Sequence, residues 1–239
     1  MASYSYLDLL ALLGVGSAHP GGFGLTKELL QQLSPVPGSE VLDAGCGTGR
    51  TAIYLADAYG CRVTGIDQNQ LMLEKAGKRA LREGVALQLV QGDLEQLPFA
   101  DGSFALALSE SVLAFTDIQQ SLQELHRVLR PGARLAVIEM AVERSLAPAE
   151  TAEISAVYGA KRYMTEQDWR ESFRLAGFTS VQTVGGGTIL ASMQQYQELP
   201  DWDLSPHIHP AVYNVWAQHE DIIRKYQQLL GHRVFICSK

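Results

Sequence analysis

Up to residue 140 the chain alternates short apolar runs with stretches of helical spacing, and this alternation constrains its fold more than any other feature. VLDAG (41–45), CRVTGID (61–67), ALQLVQ (86–91), FALALS (104–109) and RLAVIEM (134–140) read as strands. They are bounded by Gly, Asp or Pro, and some are apolar throughout, as strands covered on both faces are. Residues 48–59, 69–83 and 118–129 carry helical periodicity between them. In the last, Leu122, Leu125, Val128 and Leu129 share one apolar face, and Pro131-Gly132 is placed to end it. Alternating strand and helix predicts a parallel sheet with right-handed crossovers, a doubly wound, Rossmann-like α/β fold.

The rhythm changes after residue 140. Thr165-Glu166-Gln167-Asp168 has the form of a capping box opening a helix, with Trp169, Phe173 and Ala176 on one face. Gly177 closes it and FTSVQTV (178–184) reads as a strand, followed by Gly185-Gly186-Gly187 and a helix from about 189. PDWDLSPHIHP (200–210) is a Pro-rich loop, Val212 to Leu230 a long helix, and HRVFICS (232–238) a closing strand.

EVLDAGCGTGR (40–50) places Gly45, Gly47 and Gly49 at a strand-to-helix turn. Glycines there let a ligand approach bare backbone, and the N–H groups of a helix start favour an anion. A dinucleotide fingerprint needs G-x-G-x-x-G, and here the third glycine comes one residue early. Asp43 stands just before the turn, where a carboxylate repels a pyrophosphate but suits an ammonium. A zwitterionic amino-acid moiety meets both demands, which points to the methionine end of S-adenosylmethionine. Asp67 ends the second strand, 18 residues after Gly49, where a carboxylate takes two ribose hydroxyls. Asp93 ends the third, ready to accept from an adenine amino group.

VLDAGCGTG, GID, GDLEQLPFADGSFAL and LQELHRVLRPGARLAVIE resemble the ordered motifs of class I S-adenosylmethionine-dependent methyltransferases, nearest the small-molecule ubiquinone/menaquinone-type and "type 11" group. The resemblance is strong over residues 38–140 and weak elsewhere. It implies a seven-stranded sheet in the order 3-2-1-4-5-7-6 with the last strand antiparallel. Its cofactor is S-adenosylmethionine, leaving as S-adenosylhomocysteine. By position, Gly45, Cys46, Gly47 and Gly49 would line the amino-acid end beside Asp43. Asp67 would hold the ribose with Gln68 beside it, Met72 would lie against the adenine, and Asp93 and Leu94 would flank that ring. Ser109 would face the methionine moiety and the methyl group.

Three cysteines far apart, with no C-x-x-C pair, predict free thiols in a reducing cytoplasm. The start lacks a basic residue before its apolar run and carries Asp8 within it, unlike a signal peptide. No stretch reaches the roughly 18 apolar residues of a membrane span. A net charge of -7 argues against nucleic acid as a partner. These features predict a cytoplasmic protein with a small-molecule acceptor, working as a monomer or homodimer.

The acceptor is harder to read. Methyl transfer from a sulfonium needs alignment and exclusion of water, and a general base only for a protonated, weakly acidic acceptor. SESV after the fourth strand is not the Asn/Asp-Pro-Pro-aromatic loop of enzymes that methylate bases or glutamine, and Phe115 stands where related small-molecule enzymes often have a His. Glu110 either orients an acceptor or is a helix-start carboxylate. His19, in GSAHPGGFGLT (16–26), is either a base or orienter near the methyl or a turn histidine bonded to backbone, and Thr26 is placed to cap the following helix. His207 and His209 lack a clear third ligand, so no metal site is expected. Residues 1–37 form an N-terminal helical segment over the cofactor, and 38–185 with 232–239 form the core. Residues 186–231, with Trp202, Tyr213 and Trp216, are a helical insertion before the last strand, serving as a lid or an interface. A cofactor-binding sensor that transfers no methyl is the competing function. A nicotinamide dehydrogenase fails on the glycine spacing and on Asp93.

Overall fold

The computed structural model describes residues 4–196 and 201–239. Two helices, α1 (Tyr6–Leu13) and α2 (Gly22–Leu33), precede the first strand. The alternating half follows as β1 (Glu40–Ala44), α3 (Arg50–Tyr59), β2 (Arg62–Asp67), α4 (Gln70–Glu83), β3 (Gln88–Gln91), β4 (Phe104–Glu110), α5 (Ile118–Val128) and β5 (Leu129–Val142). The remainder is α6 (Pro148–Tyr158), α7 (Glu166–Leu175), β6 (Ser180–Thr188), α8 (Ile189–Gln195), α9 (Ala211–Tyr226) and β7 (Leu230–Ser238).

The sheet has seven strands in the order β3-β2-β1-β4-β5-β7-β6, and β7 runs antiparallel to both of its neighbours. This is the expected architecture. Residues on alternate sides of each strand feed two cores, as the twofold period of a strand demands. On one face Leu135, Val137 and Phe235 pack with Leu122 and Leu125 of α5 and with Trp169 and Phe173 of α7. On the other, Leu106, Leu108 and Ile138 pack with Leu29, Leu30 and Leu33 of α2 and with Ala52 and Leu55 of α3. Both sides of the central strands are dry, which explains their apolar runs.

Local signals mostly act where the sequence places them. Thr165 caps α7 in a full capping box with Asp168, and the Trp169 indole N–H donates to Met140 O at 2.9 Å. Three readings are corrected. Thr26 lies inside α2, which already starts at Gly22, so it caps nothing. The α5 helix ends at Val128, before Pro131-Gly132, because Leu129 turns extended and joins β5. β6 does not end at Val184 but runs on through Gly185-Gly186-Gly187 to Thr188. A Cβ at Gly186 would stand 2.6 Å from His232 O, and its φ of 138° is open only to glycine. Close approach of β7 thus demands glycine within the strand. Part of the expected Pro-rich loop, residue 200, lies outside the described residues, as does part of the insertion, residues 197–199.

Candidate active site

The carboxyl ends of β1, β2, β3 and β4 open into a cavity of about 900 Å³, at the edge where open α/β sheets bind ligands. Asp43, Gly45, Cys46, Gly47, Asp67, Gln68, Met72, Asp93, Leu94, His19 and Glu110 all line it. Gly49 and Ser109 do not. Gly49 caps α3 against Ala76, and Ser109 is fully buried between Ala44 of β1 and Val137 of β5. The strand alternation that buries Ser109 brings Glu110, the next residue, to the cavity.

The glycine turn is tightly self-bonded. Gly45 and Cys46 N–H donate to Ile66 O at 2.8 and 3.0 Å, Gly47 N–H to Asp67 Oδ2 at 2.9 Å, and Gly49 N–H to Cys46 O at 2.8 Å. The N–H groups of Gly45, Cys46, Gly47 and Gly49 are therefore spent within the fold. Gly45 has a φ of 82°, and a Cβ there would sit 2.3 Å from Val112. The turn thus offers bare backbone in close packing against the segment after β4.

Partners for a zwitterion come from side chains instead. Asp43 Oδ2, Thr48 Oγ1 and Ser17 Oγ are buried without hydrogen-bond partners, and all three residues line the cavity beside Arg50. Buried polar atoms are nearly always paired, so such a cluster marks a site completed by a ligand. Burial above all, then Glu110 and Asp67 nearby, pushes the Asp43 carboxyl well above the usual range. A ligand ammonium reverses that penalty. Asp67 accepts from Gly47 and from Asn69 N–H (2.8 Å) yet keeps further lone pairs for ribose hydroxyls. Asp93 is exposed, with one oxygen accepting from Glu95 N–H at 2.9 Å. These residues fit S-adenosylmethionine: an acid for the ammonium, Arg50 and two hydroxyls for the carboxylate, and acids for ribose and adenine.

His19 and Glu110 are brought together, but each is occupied. Glu110 Oε1 accepts from Thr26 Oγ1 at 2.8 Å and Oε2 from Thr51 Oγ1 at 2.7 Å. His19 Nε2 lies 3.1 Å from Thr26 Oγ1, and Nδ1 3.2 Å from Pro20 O. The Pro20 carbonyl can only accept, and the single Thr26 proton goes to Glu110. Both ring nitrogens are thus engaged, one by the Pro20 carbonyl and the other by the Thr26 hydroxyl. Thr26, read from the sequence only as a cap, and Thr51, not singled out there, sit on α2 and α3, and only the packing of those helices on the sheet reveals their bonds to Glu110.

At the other end the cavity is aromatic. Tyr6, Phe115, Tyr158, Trp202, Trp216 and His219 line it, from α1, the segment after β4, α6, the 201–210 segment and α9. A strap closes the side between the ends: Asp201 pairs with buried Arg79, Gly16 N–H donates to Asp201 O at 3.0 Å, and Lys75 bonds Leu12 O at 3.2 Å and Asp203 O.

A sequence profile described as "Methyltransferase domain" matches residues 41–132, which carry the glycine turn, Asp67 and Asp93. The "Uncharacterized methyltransferase YodH" of Bacillus subtilis (strain 168) is 39% identical over 234 residues, covering 98% of this chain and 99% of that protein. The chain belongs to the class I S-adenosylmethionine-dependent methyltransferases. An O-methyltransferase of Pyrenophora dematioidea is 38% identical over 122 residues, half of this chain and 46% of its own length. Among solved structures, the phosphoethanolamine N-methyltransferase 2 of Haemonchus contortus, bound to phosphomonomethylethanolamine and S-adenosylhomocysteine, superimposes with a TM-score of 0.76 at 18% identity. That match covers 98% of this methyltransferase and 57% of the nematode chain, and at such identity it speaks to the fold alone.

Among the described residues no three His, Cys, Asp or Glu side chains are grouped to hold a metal, and no helix is long and apolar enough to cross a membrane. His209 Nδ1 accepts from Ala211 N–H at 3.1 Å, at the start of α9.

Proposed function

We propose that this methyltransferase moves a methyl group from S-adenosylmethionine to a small-molecule acceptor enclosed with it in one cavity. The observation that carries this reading is the cavity's two-ended chemistry: unpaired buried polar atoms at the glycine turn, and aromatic walls at the far end. A volume of about 900 Å³ is at the top of the range of roughly 300–1,000 Å³ for small-ligand sites, room for a donor and a modest acceptor.

When bound, the sulfonium supplies an already activated methyl carbon. The chain's own residues then bind, align and exclude water. Asp43 holds the ammonium; Arg50, Thr48 and Ser17 hold the carboxylate; Asp67 takes the ribose; Asp93, Leu94 and Met72 frame the adenine, with Gln68 beside the ribose. Glu110 and His19, locked through Thr26, form a rigid polar wall near the methionine moiety. The first 37 residues and the 186–231 insertion act as the cover. Leu9 and Leu13 of α1 pack on Val212 and Val215 of α9, and Trp202 stacks on Trp216 at 5.0 Å, so the inner apolar face of α9 is covered by the N-terminal segment, while Leu204 and Tyr213 stay exposed. That favours a lid over a dimer surface.

The test is formation of S-adenosylhomocysteine from S-adenosylmethionine with a cell extract split by ultrafiltration. Turnover is expected with the low-mass filtrate and to vanish in Asp43→Asn. Turnover only with the macromolecular fraction overturns the small-molecule reading.

A further inference from the structure

The far end of the cavity contains a polar pair that the cofactor does not need. Tyr158 Oη of α6 and His219 Nδ1 of α9 stand 3.0 Å apart, 61 residues apart in the chain. Both line the cavity. Tyr6 joins them: its ring meets Tyr158 edge-on at 4.9 Å, His219 at 5.2 Å and Phe115 at 6.5 Å. The stacked Trp202 and Trp216 line the same space. Five separate segments thus build a chamber of flat π faces around one hydrogen-bonding pair. Flat walls favour a flat occupant, stacked or edge-on.

We propose that this chamber receives a planar acceptor bearing a phenol- or enol-type hydroxyl, and that His219, held by Tyr158, accepts the hydroxyl proton. With Nδ1 bonded to Tyr158, Nε2 has no partner among the described residues, so a lone pair or a proton there is left for a ligand. Burial holds the imidazole neutral, lowering its affinity for a proton below the ordinary histidine value, while the nearby Glu220 carboxylate works against that. The other ionisable groups facing it are Tyr6 and Tyr158, both phenols pushed upward by burial and so uncharged. A neutral ring among uncharged phenols suits an uncharged acceptor better than an ammonium.

The step balances simply. The acceptor O–H proton passes to Nε2 as an oxygen lone pair forms the new O–C bond. The S–C bond breaks with its electron pair staying on sulfur. The products are the methyl ether, S-adenosylhomocysteine and an imidazolium that returns its proton to solvent. His19 and Glu110, engaged with each other and with Thr26 and Thr51, are not required for this.

This inference rests on the small-molecule reading above, and the experiment separates the two. 2-Naphthol and 4-nitrophenol are titrated into the S-adenosylhomocysteine complex against their methyl ethers, following Trp fluorescence. The wild type is expected to bind each hydroxyl compound at least tenfold more tightly than its ether. His219→Ala and Tyr158→Phe are expected to lose that preference while keeping S-adenosylhomocysteine affinity and the circular dichroism of the wild type. In turnover with S-adenosylmethionine, His219→Ala is expected to lower kcat about a hundredfold and to be partly restored by added imidazole. No hydroxyl preference in the wild type, or a preference and kcat unchanged in His219→Ala, overturns the chamber. Loss of turnover with every small molecule, with the His219-dependent preference intact, would overturn the small-molecule reading and leave the chamber standing.

Discussion

The two ends of the cavity are built by different means. The cofactor end comes from consecutive residues at strand ends, where Asp43, Thr48 and Asp67 are fixed by the sheet itself. The aromatic end comes from helices and connecting segments outside the sheet, and it draws on residues 6, 115, 158, 202, 216 and 219. One end has unpaired polar atoms waiting for charge; the other has paired aromatic rings. An open α/β sheet supplies the first end wherever its strands finish, while the second is free to vary with each acceptor.

The sharpest way to break this division is Asp67→Ala. Asp67 ties Gly47 and Asn69 together as well as facing the cavity, so S-adenosylhomocysteine affinity should fall more than a hundredfold by calorimetry, about 3 kcal/mol or more. Binding of 2-naphthol to the cofactor-free protein, read by Trp fluorescence, should be unchanged. Equal losses at both ends would mean that they are one site.

Glu139, which lines the cavity, and His232, buried on β7, should reveal themselves through pH. Glu139 is buried and accepts from Val112 and Leu113 N–H at 2.7 and 2.6 Å, holding the segment after β4. Burial pushes its carboxyl up to about 7 from 4.5. The folded protein then keeps a proton that the unfolded chain has lost, so this group lowers stability as pH rises from about 4.5 to about 7. Burial pushes His232 down to about 4 from 6.5, so its contribution is present above 6.5 and lost as pH falls towards 4. The two slopes oppose each other, each about 3 kcal/mol in full. Glu139→Gln keeps both N–H bonds and should show stability rising with pH across this window. His232→Gln should show the reverse. Urea midpoints from pH 4 to 8 that match the wild type in both variants would contradict the assignment.

Gly45→Ala probes the join itself. The added methyl meets Val112 in a left-handed backbone, and thermal unfolding should report a loss of about 2 kcal/mol. The smallest expected effect is at the strap. Arg79→Ala leaves Asp201 only its longer ion pair with Arg50 (3.8 Å), and stopped-flow release of S-adenosylhomocysteine should quicken about tenfold. An unchanged rate would show that the strap stays shut without the ion pair.

The helix and strand readings failed where a residue obeyed a distant neighbour over its own propensity. The strand was expected to stop at Val184, yet β6 runs on through three glycines to Thr188, where β7 passes too close to Gly186 to admit a side chain. Ser109 and Glu110 were both singled out; which of them faces the cavity was settled by the register of β4 against β1 and β5. The N–H groups of the glycine turn were expected to be donors for a ligand, but Ile66 O, Cys46 O and Asp67 take them first.

The sequence by itself determined the doubly wound sheet and, through the family resemblance, its strand order. Those features depend on short-range pattern, on strand ends and turns a few residues long. The tertiary structure alone decided that Thr26 and Thr51 fasten Glu110, that His19 is tied to Thr26, and that Tyr158 meets His219. Those contacts join residues 7 to 84 positions apart on separate elements. No local periodicity encodes them, because they exist only once burial of two apolar faces has fixed how the helices lie on the sheet.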